Sequence, residues 1–216
     1  MSAASGSRET ILAKVRAALP QSSPLPDVLT PGPWQTFENP TTRFQEVVTS
    51  VGGQVICVPT LAAANQHLES LAVWNTANVR CSVVPGLGSN SFELDAITDP
   101  HDLENVDFAV LRGHLAVAEN GAVWVRDDTL KHRVLYFIPQ HMALAVPAGA
   151  VVHNMHEAYG KIEIGKHPFA GFISGPSKTA DIEQSLVIGA HGARSLTVYL
   201  IDELSTGDRT QTGREN

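Results

Sequence analysis

The most informative stretch of the sequence is Phe172-Ile173-Ser174-Gly175-Pro176-Ser177-Lys178-Thr179-Ala180-Asp181-Ile182-Glu183-Gln184. It predicts the end of a buried strand, a tight loop and the start of a helix, because an apolar run meets the turn pair Gly175-Pro176. Thr179 is a suitable N-cap for a helix that begins at Ala180. A second apolar run, Leu196 to Ile201, follows. The pattern therefore predicts a strand-helix-strand unit with two parallel strands.

The loop of this predicted unit has a composition that suits an anion. Backbone N–H groups at a helix N-terminus, hydroxyl groups and an ammonium together favour a phosphate or a carboxylate. The Walker A spacing is absent. From the residues alone, a well-capped connection with a solvated lysine is an equally good interpretation. The candidate anion- or substrate-binding residues are Ser174, Gly175, Ser177, Lys178 and Thr179.

Composition narrows the class of protein. The 216 residues are 43% hydrophobic and 17% charged, as in ordinary globular chains. The net charge of −7 gives no indication of nucleic-acid binding. No apolar run approaches the length of a membrane span, and the N-terminus lacks the pattern of a signal peptide. We therefore expect a protein of the cytosol that is not inserted into a membrane.

The sequence contains two cysteines, Cys57 and Cys81. Two cysteines are too few for a disulfide framework or an iron–sulfur cluster. Both lie in strand-like apolar runs, which predicts two buried thiols. No cofactor is expected in this chain.

The pattern of the chain predicts three regions. A helix from Arg8 to Leu19 and a proline-rich linker form an N-terminal arm over residues 1–33. An α/β domain is expected over residues 34–204 and a polar tail over residues 205–216. The helix of the arm either packs on a neighbour or folds back on its own domain.

Strands and helices alternate in the first half of the domain. A helix carrying Phe44 and Val48 ends at Gly52-Gly53, and Thr60 caps a second helix. The alternation predicts an α/β sheet with flanking helices. The later part predicts a helix from Val152 to Tyr159 and a hairpin at Asn120-Gly121. The predicted strands are Gln54–Val58, Val79–Val84, Val106–Leu111, Leu115–Ala118, Ala122–Val125, Val134–Ile138 and Met142–Val146.

Two residues are candidates for catalysis. Glu119 precedes the tight turn, where a carboxylate could act as a nucleophile or a general base. The alternative is a solvated glutamate that only flanks a hairpin. His141 lies between a loop and a strand, where it would orient a carboxylate, donate a proton or bond its own loop.

The residues His153, His156 and Glu157 raise the question of a metal site. A zinc ion needs three or four convergent ligands, and the other histidines are scattered along the chain. No metal is predicted.

The run from Ser174 to Gln184, with Gly189-Ala190-His191-Gly192 after it, closely resembles the signature of the lactate-utilisation protein C branch of the LUD-domain family. Two further segments resemble this family. Ala116 to Gly121 is similar to its segment ending in a Glu-Thr-Gly turn, and Pro139 to Ala143 is similar to its Pro-Pro-x-His-Ile segment. The chain departs from the family at Asn120, Gln140 and Arg112-Gly113-His114.

The resemblance implies a fold like that of ribose-phosphate isomerase, glucosamine-phosphate isomerase and CoA-transferases. Ala118-Glu119-Asn120-Gly121 resembles the Ser-Glu-Asn-Gly motif that carries the nucleophile of one CoA-transferase family. The implied role is that of a component of a system that oxidises L-lactate to pyruvate, with iron–sulfur clusters in two partner proteins. This chain would bind a small anionic ligand or a partner.

Two other functions remain open from the sequence. The chain could be a free-standing enzyme, similar to a sugar-phosphate isomerase or a CoA-transferase, that uses Glu119. It could instead be an interaction scaffold without a catalytic site. Whether it forms a homo-oligomer is also open.

Overall fold

A computed structural model describes residues 4–18, 32, 34–128, 130–180, 186–189 and 192–205. The chain forms two compact units, residues 1–33 and 34–216. The described part of the first unit contains helix α1 (Ala4–Ala18), which confirms the predicted N-terminal helix and begins four residues earlier. Leu19, the predicted last residue of this helix, lies outside the described residues.

The second unit contains four helices and eleven strands among its described residues. The helices are α2 (Pro40–Ser50), α3 (Leu61–Ser70), α4 (Ala72–Asn75) and α5 (Met155–Lys161). The strands are β1 (Gln54–Val58), β2 (Arg80–Ser82), β3 (Phe108–Arg112), β4 (Leu115–Val117), β5 (Ala122–Arg126), β6 (His141–Pro147), β7 (Val151–Val152), β8 (Ala170–Ser174), β9 (Lys178–Ala180), β10 (Leu186–Ile188) and β11 (Ser195–Ile201).

The main sheet has five parallel strands in the order β1-β11-β6-β3-β2. Its central strand β6 is buried from Met142 to Pro147. One face packs against Phe44 and Val48 of α2, and the other face packs against Leu68 of α3 and Trp74 of α4. A parallel sheet covered on both faces explains the nearly continuous apolar runs of β3, β6 and β11. The predicted α/β sheet with flanking helices is confirmed.

Local sequence signals account for the helix starts. Asn39 accepts a hydrogen bond from the Thr42 N–H at 3.0 Å, and Pro40 occupies the first helical turn of α2. Thr60 accepts a hydrogen bond from the Ala63 N–H at 3.1 Å, so the cap predicted for α3 is confirmed.

The second sheet has the strand order β7-β4-β5-β8. β4 and β5 are antiparallel and form the hairpin that the Asn120-Gly121 pair predicted. Gly121 has a φ of +67°, a conformation that favours glycine, and Asn120 Oδ1 accepts a hydrogen bond from the Ala122 N–H at 3.1 Å. One face of the sheet joins the main core, and α5 covers part of the other.

The prediction of a helix that begins at Ala180 is wrong. Residues 178–180 form β9, which pairs antiparallel with β10, so that Lys178 lies opposite Ile188. Thr179 lies within a strand and is not an N-cap. Residues 181–185 lie outside the described residues. The run Leu186-Val187-Ile188 is rich in β-branched side chains, which favour a strand once a partner strand is adjacent.

The predicted strand-helix-strand unit is therefore also wrong. β8 pairs antiparallel with β5 in the second sheet, whereas β11 lies in the main sheet between β1 and β6. The apolar runs correctly predicted β8 and β11 as strands, but the strands that pair with them are distant in sequence. Periodicity identifies a strand without identifying the sheet to which it belongs.

Two smaller predictions also need correction. Residues 134–138 were predicted as a strand, but Arg133–Tyr136 is a 3₁₀ turn whose Tyr136 hydroxyl donates to the Arg126 carbonyl oxygen at 2.9 Å. The Cys57 thiol is exposed because β1 is an edge strand, whereas Cys81 is buried as predicted. Among the described residues, no helix has the length and apolarity needed to cross a bilayer.

Candidate functional site

The three segments that carry the family resemblance meet around the signature loop, residues 174–178. The Ser174 hydroxyl donates a hydrogen bond to the Asn120 carbonyl oxygen at 2.8 Å. The Ser177 N–H donates to the Ala193 carbonyl oxygen at 2.8 Å, and the Arg194 N–H donates to the Gln140 carbonyl oxygen at 2.8 Å. Segments as far as 54 residues apart therefore form one connected structure.

The signature loop borders a cavity of about 330 Å³, which we call the loop cavity. Ser177 and Lys178 supply polar groups, and Lys178 is exposed. Most of the wall is apolar and includes Tyr136, Phe137, Met142, Phe172, Ala193 and Leu196. One ammonium beside an apolar wall suits a small anion with an apolar body, or an apolar side chain of a partner.

The backbone of the loop differs from a helix N-terminal anion site. The helix start that would have presented free N–H groups is a strand instead, and the Ser177 N–H is already bonded to Ala193. Gly175 has a φ of +71°, and a Cβ atom there would lie 2.8 Å from Val51 Cγ2. The loop is thus held closely against the end of α2. Anion binding by Ser174, Gly175, Ser177, Lys178 and Thr179 stays a prediction.

Gly175→Ala is expected to lower the free energy of unfolding by about 2 kcal/mol or more, from the left-handed backbone and the contact with Val51. Gly86→Ala is the matched control, because Gly86 has a φ of +83° but no atom within 4 Å of the place that an alanine methyl group would take. The free energy of unfolding of Gly86→Ala should therefore fall only by the cost of placing an alanine in the left-handed backbone conformation. Urea unfolding of both variants measures the difference, and equal midpoints would contradict the close packing of the loop.

Glu119 lies in the turn between β4 and β5 and is exposed. Its Oε2 accepts a hydrogen bond from the Met155 N–H at 2.9 Å, at the first residue of α5. Asn154, the N-cap of this helix, accepts a second bond from the Glu157 N–H at 3.0 Å. The carboxylate therefore satisfies one of the free donors at the helix start. A catalytic role for Glu119 stays a prediction.

His141 opens β6 at the amino end of the main sheet. Its Nδ1 lies 2.7 Å from the Ser195 hydroxyl oxygen. Partial burial lowers the pKa of His141, the nearby Arg194 lowers it further, and Asp107 opposes the shift. His141, Asp107 and Arg194 line a small cavity of about 130 Å³. The two candidate catalytic residues thus lie in different parts of the fold, Glu119 in the turn after β4 and His141 at the start of β6, and each lies beside a different set of groups.

The three residues considered for a metal make other contacts. His153 Nδ1 accepts a hydrogen bond from the Phe37 N–H at 3.0 Å, and the His156 ring stacks on Trp34 with centroids 3.4 Å apart. Glu157 accepts a hydrogen bond from the His153 N–H at 3.0 Å. Within the described ranges, no three histidine, cysteine or acidic side chains are placed to hold one metal ion.

A larger, polar cavity of about 550 Å³ was not predicted from the sequence. We call it the sheet-end cavity, because His114 follows the carboxyl end of β3 and Gly149 follows that of β6. Arg126 of β5 and Lys161 of α5 also line it. These residues come from four separate segments, so no local motif identifies them. The signal in the sequence was the departure from the family at Arg112-Gly113-His114.

Comparison with known proteins gives a family and several bacterial relatives. The LUD domain family model matches residues 41–201. Lactate utilization protein C 1 of Bacillus mycoides is 30% identical over 103 residues, which are 45% of this chain and 44% of that protein. Lactate utilization protein C of Geobacillus thermodenitrificans is 33% identical over 106 residues, which are 46% of this chain and 44% of that protein. The match thus spans less than half the length of these relatives.

A solved structure supports the fold. A DUF162 family protein from Deinococcus radiodurans aligns with a TM-score of 0.50 and 15% identity, over 75% of this chain and 96% of that one. At this identity the likeness concerns the fold alone. The family model, in contrast, covers most of the chain, including the signature loop, the hairpin turn and the segment around His141. The resemblance seen in the sequence is therefore confirmed, and the chain belongs to the LUD-domain family.

Proposed function

We propose that this chain is a component of a lactate-utilisation system in which separate iron–sulfur proteins carry the electrons released when L-lactate is oxidised to pyruvate. The observation that carries the proposal is the similarity to lactate utilization protein C of several bacteria, at 30 to 33% identity for the two described above. We place the chain in the cytosol with its partners.

The positions of the two cysteines support the assignment of the iron–sulfur clusters to other proteins of the system. Cys57 lies on β1 and Cys81 on β2, the two opposite edges of the five-stranded sheet. Four strand spacings of about 4.8 Å separate them by roughly 19 Å. Two thiols at that separation cannot ligate the same iron–sulfur cluster. The electron carriers are therefore proposed to be partner proteins.

The loop cavity is proposed to bind a small anion or a partner protein. The support is the joining of three family segments around it and the single ammonium of Lys178 beside apolar walls. We further propose that the fold belongs with ribose-phosphate isomerase, glucosamine-phosphate isomerase and the CoA-transferases. The parallel main sheet beside a smaller mixed sheet is compatible with this assignment.

A deletion and complementation experiment tests the proposed role. We expect a host that lacks this gene to lose growth on L-lactate while growing normally on pyruvate, and a plasmid copy to restore growth. Partners that co-purify with the chain should reduce a dye in the presence of lactate. Undiminished growth and dye reduction without the chain would refute the role.

Glu119→Gln tests the alternative of an enzyme that uses this carboxylate. The alternative is favoured by the position of Glu119 in the turn that contacts the signature loop. The glutamine keeps an acceptor oxygen for the Met155 N–H, so the start of α5 is preserved while the charge is removed. If the alternative holds, we expect a large loss of growth on lactate at normal protein abundance. Full growth would leave Glu119 a capping residue only.

A further inference from the structure

The sheet-end cavity lies where ligands commonly bind in α/β proteins, outside the carboxyl ends of parallel strands. His114 enters it just after β3, and Gly149 and Ala150 border it in the turn after β6. Its volume of about 550 Å³ is within the range of small-molecule sites. It does not share lining residues with the loop cavity.

One of the charged side chains that line this cavity, Arg126, is only slightly exposed. The Arg126 side chain is 14% exposed, and its Nε lies 2.9 Å from Asp128 Oδ2. Its Nη1 lies 3.4 Å from His167 Nε2. A guanidinium presents its N–H donors in a planar fork that matches the oxygens of a carboxylate or a phosphate.

The balance of charge in the cavity favours an anion. Asp128 is paired with Arg126, and Glu163 on the cavity wall is paired with Lys166. Lys161 lies on the same wall, and no ion pair of it occurs among the described residues. Both acids thus have a cationic partner, while Lys161 adds a further positive charge.

His114 supplies a polar group that needs a partner. Its side chain is 11% exposed, and its Nε2 lies 3.7 Å from Asp128 Oδ1, too far for a hydrogen bond. Within the described part of the chain, this buried nitrogen has no hydrogen-bond partner. Burial, with Arg126 next, lowers the pKa of His114 to about 4, which leaves the imidazole neutral near pH 7. A bound hydroxyl or oxyanion would satisfy the nitrogen.

We propose that the sheet-end cavity binds a small oxyanion, a carboxylate or a phosphate, with Arg126 and Lys161 supplying the charge and His114 a hydrogen bond. The inference rests on the cavity itself and does not depend on the proposed role in lactate utilisation. A carboxylate and a phosphate share the geometry that a guanidinium recognises. The test therefore uses both.

Calorimetric titration of the full purified chain with L-lactate, pyruvate and inorganic phosphate, at constant ionic strength, identifies the class of ligand. We expect saturable binding of at least one of the three. Arg126→Lys keeps the positive charge but removes the two parallel N–H donors of the guanidinium, so it should weaken binding by about tenfold. Lys161→Gln should weaken it by about threefold, as expected for a partly solvated charge.

Lys14→Gln is the matched control, because Lys14 is an exposed lysine of α1 that lines neither the sheet-end cavity nor the loop cavity. It should bind the same probe with unchanged affinity. The inference is overturned if no probe binds, if Lys161→Gln binds as the natural chain does, or if Lys14→Gln alone loses binding. Because Lys161 is exposed, Lys161→Gln is expected to fold, and its affinity tests the inference even where Arg126→Lys fails to fold. Lost growth on lactate is a separate result and bears on the proposed function only.

Discussion

Lowering the pH from 7 to about 5 is expected to reduce the free energy of unfolding by about 2 kcal/mol through His114 alone. Burial, with the Arg126 charge next, depresses the pKa of this imidazole in the folded protein from 6.5 to about 4. In the unfolded chain His114 binds a proton near pH 6.5, whereas in the folded protein it does so only near pH 4. The contribution of neutral His114 to the free energy of unfolding is therefore fully present above pH 6.5. It is lost as the pH falls towards 4, where the loss reaches about 3 kcal/mol.

The measurement is urea unfolding across this pH range, for the natural chain and for His114→Asn. The variant has no titrating group at this position, so its stability should fall less between pH 6.5 and pH 4. His141 also has a lowered pKa, but it is present in both proteins and cancels from the difference. Parallel stability curves for the two proteins would show that His114 is not buried beside Arg126 as described.

Leu144→Ala is expected to lower the free energy of unfolding by about 2 to 5 kcal/mol. Leu144 lies in the central strand β6, has no exposed surface, and belongs to the core that includes Phe44, Leu111 and Val198. Removing its side chain leaves a cavity that neighbouring strands on both sides prevent from closing. The sheet order places β11 and β3 against β6 along its length.

Ile164→Ala provides the control for Leu144→Ala. Ile164 is 75% exposed, so its truncation should change the free energy of unfolding by no more than about 0.5 kcal/mol. Urea midpoints of the two variants should therefore differ clearly. A Leu144→Ala protein as stable as the control would mean that β6 is not at the centre of the core.

Several features were determined by the sequence itself, because their causes lie within a few residues. The cap at Thr60 needs only a hydroxyl three residues before the Ala63 N–H. The hairpin at Asn120-Gly121 needs only a turn pair between two apolar runs. The apolar runs of β1, β6 and β11 likewise predicted three strands, without indicating which strands would pair with them. The signature loop was also identified in this way, by a long and specific local pattern.

Other features were decided only by the tertiary structure, because they depend on residues that are distant in sequence. Thr179 and Ala180 follow a turn, a pattern that predicts the start of a helix. They form a strand instead, because β10 pairs with them. Cys57 resembles a core residue, yet it is exposed because β1 is an edge strand. The sheet-end cavity brings together His114, Arg126 and Lys161 from three separate segments of the chain. Strand pairing, burial and the convergence of charges are set by which segments meet, and a one-dimensional pattern carries little of that information.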